Sequence, residues 1–207
     1  MHAASEVFRD KGYAGASMSE ISARAGGSKC TLYSYFPSKH ELFSAVMLDQ
    51  IKRLGVPDLF AELEQAEDVM QAVRHFARGL TRLLASAEVV DFLRMIIAEG
   101  ARSPLGKLVY QNGPAVYWRR FAEFYETQAD KGVFRDADPW RAAMHIHALC
   151  MAGANQWLLE GAVSFITVEE IGSTAEAAAD VFLRAYALKS EVSKCDDLPK
   201  ADPNVHG

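Results

Sequence analysis

A chain of 207 residues, half of them hydrophobic, carries enough apolar surface to close one large core, or a small core fused to a larger one, and this excludes an intrinsically disordered protein. Three cysteines, odd in number and without CxxC spacing, exclude a disulfide framework, and a net charge of −5 excludes a uniformly basic polyanion binder. The most apolar run, Ala142 to Leu159, is interrupted by His145, His147, Asn155 and Gln156, and the first residues show no leader pattern, so the expected place is the cytoplasm, with no membrane partner.

The distribution of charge says more than its sum. Residues 1–53 hold seven Lys or Arg against five acids, so the N-terminal part is net positive while the remainder carries the whole negative excess. That sign favours a polyanion partner at the N-terminal end. A first helix, with Ala4, Val7 and Phe8 on its apolar side, closes at Lys11-Gly12. Ser17-x-x-Glu20 is a capping-box pattern that starts a second helix from about Met18 to Ala25, and Gly26-Gly27 stops it. Ser28 caps a third helix through Tyr35, Pro37 ends it, and Ser38-x-x-Glu41 starts a fourth. Two short helices joined by a glycine turn make a helix-turn-helix unit.

The third helix sets Lys29, Thr31, Tyr33 and Tyr35 beside Leu32 and Phe36. Donors to phosphates and base edges outside, with apolar anchors inside, is the division of labour that a recognition helix needs. Lys39 and the helix starts at Ser17 and Ser28 are placed to grip phosphates. The expected DNA contact set is therefore Ser17, Ser28, Lys29, Thr31, Tyr33, Tyr35 and Lys39. A surface helix with packed tyrosines and solvated lysines has the same spacing.

From Val7-Phe8 and Lys11-Gly12-Tyr13 through Ser28-Lys29-Cys30-Thr31-Leu32-Tyr33-Ser34-Tyr35-Phe36-Pro37-Ser38-Lys39 to Glu41-Leu42-Phe43, the chain resembles the N-terminal domain of the TetR/AcrR family of bacterial transcriptional regulators. Members of that family usually carry a longer, often basic segment before the first helix, whereas this chain opens inside it. Gly27 stands where Val is common, which is expected to remove an apolar plug from the turn, and Cys30 stands where Gly or Ala is frequent.

Beyond Leu54 the patterns remain helical, without strand alternation. Expected helices run from Asp68 to Ser86, from Glu88 to Arg102, from Ser103-Pro104 towards Ala129 with a bend at Asn112-Gly113-Pro114, from Asp138-Pro139 to Glu160, and from Thr167 to near Ser190. The fold expected is all-α with about nine helices: a helix-turn-helix domain over 1–45, a larger helical domain over 46–190 and a mobile tail over 191–207. Phe92, Met95, Trp118, Phe121, Tyr125, Met144, His147 and Met151 supply the aromatic and thioether surface of an adaptable pocket, a composition that an ordinary core shares. From Phe92-Leu93-Arg94 through Pro104, Gly113-Pro114, Gln128 and Asp138-Pro139 the chain is similar to the AefR-like subgroup of ligand domains. The resemblance implies a small, often hydrophobic effector between the central helices.

Ala154, Ile171, Ala175, Ala178, Phe182, Ala185 and Tyr186 make a stripe of small and apolar residues that suits close helix packing, either within the chain or between two chains. The family resemblance implies the second, a homodimer through the last two helices. His145 and His147 point about 160° apart on a helix and cannot share an ion, and no nucleophile elbow or phosphate loop is present, so the reading is a non-enzyme without metal or cofactor. Two functions stay open: a ligand-responsive DNA-binding regulator, a repressor released from a palindromic operator, or a helical carrier whose helix-turn-helix no longer binds DNA.

Overall fold

A computed structural model describes residues 1–188, and the tail expected over 191–207, with Cys195, lies outside the described residues. The described chain forms twelve helices: α1 (His2–Gly15), α2 (Met18–Arg24), α3 (Lys29–Tyr35), α4 (Lys39–Arg53), α5 (Val56–Gln65), α6 (Val69–Leu84), α7 (Ala87–Gly100), α8 (Leu105–Asn112), α9 (Pro114–Asp130), α10 (Pro139–Met151), α11 (Ala154–Glu160) and α12 (Val168–Tyr186). None of them is long and apolar enough to cross a membrane.

The excess over nine has three local causes. Val56, Phe60 and Leu63 are buried at helical spacing and form α5, a helix additional to those expected from the sequence; Gly55, at φ +75°, turns the chain between α4 and α5. The long helix expected from Ser103 divides at Gly113 into α8 and α9, and the one from Asp138 divides at Ala152-Gly153 into α10 and α11. The last helix stops at Tyr186 rather than near Ser190, because the following segment turns extended and pairs with the α9–α10 loop, through Arg135 N–H to Tyr186 O (2.9 Å) and Leu188 N–H to Val133 O (3.0 Å).

The expected caps are in place at Ser17, Ser28, Ser38, Asp138 and Thr167, and Asp68 supplies a further one, each accepting a hydrogen bond from the backbone N–H three residues on, whereas the helix expected from Ser103 starts after Pro104 without a side-chain cap. Only at Thr167 is the reciprocal bond also made, by Glu170 to the Thr167 N–H at 2.7 Å. At Ser17 the box is half formed, since Glu20 pairs instead with Lys11 at 2.7 Å.

Two cores organise the molecule. The first joins Val7, Phe8, Tyr13, Ile21, Leu42 and Phe43 of the head to Phe92 of α7 and Leu105 and Val109 of α8. Phe43 lies at its centre, wholly buried, edge-on to Phe8, Tyr13 and Phe92 at 5.0, 5.3 and 5.4 Å. The head is thus continuous with the body through α7 and α8. The second core packs α6, α9, α10 and α12 around Phe76, Phe121, Phe182 and Ile146. Where α7 gives way to α8 the two backbones nearly touch: a Cβ added to Gly106 would sit 3.3 Å from the Cα of Gly100.

Candidate DNA-binding head and effector body

Helix α3 has no buried residue. Leu32 and Phe36 are half-buried against the head core, while Lys29, Thr31, Tyr33 and Tyr35 face outwards, Tyr33 at 41 % and Tyr35 at 75 % exposure. An aromatic side chain left this open in a chain with a well-filled core is available to a partner. The Lys29 ammonium lies 5.8 Å from the Tyr33 ring. Ser28 and Thr31 are partly occupied, because Ser28 Oγ accepts from the Thr31 N–H (3.0 Å) and meets Thr31 Oγ1 at 2.8 Å. Ser17 is likewise engaged in its cap on Glu20. The reachable donors of the third helix are therefore chiefly Lys29, Tyr33 and Tyr35.

Lys39 has a different task from the phosphate grip read from sequence. Its ammonium donates to the carbonyls of Tyr13 (2.7 Å), Ala16 (2.9 Å) and Ala14 (3.4 Å) and lies 4.5 Å from the Tyr13 ring centroid. Three donors meet three acceptors, so the group is saturated and ties the start of α4 to the α1–α2 connection. Burial lowers its pKa. Nothing in the sequence marks those carbonyls as its acceptors, since they become available only where α1 ends. Arg24 and Lys11 are turned onto Asp10 and Glu20, both within 2.8 Å. Gly27 leaves no hole where an apolar plug was expected: a Cβ there meets nothing within 4 Å, and the turn is held by Gly27 N–H to Ser22 O (3.1 Å) and Ser22 Oγ–H to Gly27 O (2.8 Å).

The eight residues expected to line one pocket fall into separate places. Phe92 belongs to the core shared with the head, and Met95 faces a crevice of about 230 Å³ between α1, α4 and α7 whose other walls are mostly polar, among them Glu6, Arg9, Arg53 and Asp91. Trp118, Phe121 and Tyr125 lie in the body core, with Met144 and Met151 packed against it. Phe121 and Tyr125 are wholly buried, ringed by Phe76, Phe134, Phe182 and Tyr186, so they fill space rather than border it. Tyr125 spends its hydroxyl on Arg135 O at 2.8 Å.

His147, half-buried, sits 4.8 Å from Trp118, whereas His145 Nδ1 meets Tyr186 Oη at 2.6 Å. Burial disfavours the imidazolium of His147 and pulls its pKa below the ordinary 6.5. A depressed histidine pKa stabilises the fold fully above the unfolded value, and that contribution is lost as pH falls below about 6.5. Thermal melts between pH 7.5 and 5 should therefore show a decline that His147→Gln makes shallower; equal declines in the two proteins would contradict this.

The stripe assigned to a subunit interface is turned mostly inwards. Ala175, Ala178, Phe182 and Tyr186 are buried within their own chain, against α6 and α10, and Ile171 is half-buried. Ala185 alone of the α12 set faces out, and Ala154 opens α11, its side chain outside the described residues. The outward face lies one step round the helix, at Ala177, Val181 and Ala185. Val181 is 50 % exposed and borders an apolar groove of about 300 Å³ with Ala148, Leu149 and Ala152 of the α10 side. The sequence signal was there, in Ala177, Val181 and Ala185 at i, i+4 and i+8, but α12 is apolar on two faces and the pattern does not rank them.

Residues 1–46 match the model of bacterial regulatory proteins of the tetR family, and residues 71–188 match that of the AefR-like transcriptional repressor C-terminal domain. Among curated proteins, the HTH-type transcriptional activator FasR of Mycolicibacterium smegmatis is 41 % identical over 92 residues, 44 % of this chain and 37 % of FasR. An uncharacterised HTH-type transcriptional regulator of Mycobacterium tuberculosis is 34 % identical over 70 residues, 34 % of this chain and 30 % of the relative. The matches thus span only about a third of those relatives' own lengths. Among solved structures, a tetR-family transcriptional regulator of Mesorhizobium loti superposes with a TM-score of 0.79 at 28 % identity, over 90 % of this chain and 94 % of the other. The flavonoid-responsive regulator FrrA gives a TM-score of 0.71 at 31 % identity, over 91 % and 95 %.

Proposed function

Because the chain belongs to the tetR family of bacterial regulatory proteins, with an AefR-like C-terminal domain, we propose that it is a dimeric repressor that leaves a two-fold symmetric operator when a small apolar effector enters its body. The observation that carries this is α3, a helix with no buried residue that presents Lys29, Tyr33 and Tyr35 from a head whose own core is complete. Two such heads, held by the Val181 face of α12, would enter successive major grooves. Ser17, Ser28 and Thr31 add contacts through the helix starts, and Lys39 acts by positioning α4 rather than by gripping phosphate. The protein works by binding and not by catalysis. FrrA, named for its response to flavonoids, supports an effector that is a small organic molecule. Hundredfold release requires about 2.7 kcal/mol of preference for the shape that does not bind DNA.

A salt titration on the DNA beside the protein's own gene tests the reading. Affinity should fall steeply with salt and depend on sequence. Lys29→Ala should lower the salt slope by about two units, one for each head of the dimer, and adding Tyr33→Ala should cost about 10- to 100-fold more affinity. Unchanged affinity in the double variant, or binding indifferent to sequence, would sink it. The likeness to FasR favours a second outcome, activation, and transcription in vitro from the same DNA separates the two by its sign.

A further inference from the structure

A crevice of about 430 Å³ lies between α5 and α6, beside the turn where α4 ends. Its inner walls are apolar: Val56 is buried, and Leu54, Leu59 and Leu83 are half-buried, the last two against the body core. Its charged residues, Asp58, Glu62 and Arg82, are all exposed, so charge is confined to the mouth. Concave sites of roughly 300–1,000 Å³ with apolar walls and a few polar groups are where small molecules bind.

One glycine helps to keep this place open. Gly79 stands inside α6, at an ordinary helical φ, so its backbone has no need of glycine. Glycine in a helix interior is destabilising relative to alanine. What the missing side chain provides is room: a Cβ at Gly79 would stand 2.5 Å from Leu59 Cδ1. An alanine there would drive Leu59 from its place and add its own methyl to the wall.

The charges at the mouth decide what fits. Glu62 is taken up by His75 at 3.1 Å. Arg78 and Arg74, about one and two turns before Arg82 on α6, both pair with Glu176. Arg82 and Asp58 make no ion pair among the described residues. Each is favoured in its charged form where it stands, the carboxylate in the first turn of α5 and the guanidinium in the last turn of α6. One wall thus offers a free anion and the facing wall a free cation, with an apolar recess behind them. A ligand that pairs with both carries an ammonium and a carboxylate at one end and an apolar group at the other.

The crevice also touches the helix shared by head and body. Leu54 and Gly55, on its wall, form the turn from α4 into α5, and α4 carries Phe43 in the head core.

We propose that this crevice is the effector site and that its effector is an amino acid with an apolar side chain, the ammonium on Asp58, the carboxylate on Arg82 and the side chain among Leu54, Leu59 and Leu83. This rests on the effector-responsive reading above and narrows it: the buried part of the effector is apolar, and its two charges stay at the mouth.

Free leucine, 4-methylpentanoate and 3-methylbutylamine share one apolar group and differ in charge. Each is titrated by calorimetry at pH 7.5 into the full chain, and leucine also into its complex with the DNA beside its own gene. Leucine should bind at least tenfold more tightly than either of the others and lower the affinity for DNA at least tenfold. Arg82→Gln should remove its advantage over 3-methylbutylamine, and Asp58→Asn its advantage over 4-methylpentanoate; both side chains are exposed, so the fold should be untouched. Gly79→Ala should bind leucine at least tenfold more weakly at unchanged helicity. Leucine failing to bind, either single-charge probe binding as well, an advantage that survives its variant, or Gly79→Ala binding normally would each overturn the site. Leucine that binds without altering the affinity for DNA would overturn the effector role. DNA binding by the ligand-free chain tests the regulator reading separately.

Discussion

Val181→Glu is expected to leave a folded monomer that no longer holds its operator. Val181 stands half exposed in the apolar groove between α10 and α12, with Ala148, Ala152 and Ala185 around it. In a two-fold interface each substituted position occurs twice, so one change places two carboxylates in the same apolar surface. Burying even one unpaired carboxylate costs several kcal/mol, more than such an interface can spare. The fold itself should not notice, because the side chain points out of its own core. Light scattering should report a monomer with unchanged helicity, and operator affinity should fall at least hundredfold, as a single head of this size keeps only half of the contacts. A dimer that survives the change would place the subunit contact elsewhere.

Phe43→Ala should be the most damaging single substitution in the head. The ring is wholly buried and meets three other rings edge-on, Phe8 and Tyr13 from α1 and Phe92 from α7. Truncating such a residue costs about 3–5 kcal/mol, a large part of the 5–15 kcal/mol that stabilises an ordinary domain. At about 2–4 °C per kcal/mol for a chain of this size, the melting temperature should drop by roughly 10 °C, and operator binding should go with it. A drop below about 2 °C would show that the cavity collapses and that head and body are not joined through this ring.

The all-helical fold and the family were legible because they are written in local chemistry. Ser28, Ser38 and Thr167 cap the helices they were expected to cap, since a cap depends on residues three apart. What the sequence could not convey was direction. Lys39 is a cation at a helix start whichever way it turns, and only the folded head brings the carbonyls of Tyr13 and Ala16 to it. Helix α12 has two apolar faces, and the choice between Phe182 inwards and Val181 outwards is made by α6 and α10. The aromatic residues Trp118, Phe121 and Tyr125 gave a composition that serves core and pocket alike, and in the fold they are core.

The near-contact of Gly100 and Gly106 bears on how this molecule deforms. Helices that interlock ridge into groove move past one another in steps, since side chains must climb out of one notch and fall into the next. At this crossing there is no side chain to climb. A side chain placed at Gly106 would force the two helix ends apart, since its Cβ would stand 3.3 Å from the Gly100 Cα. With Phe92 packed on Phe43 at one point of α7 and Arg94 bonded to Leu159 O of α11 beside it, a change at that turn would be felt by head and body together.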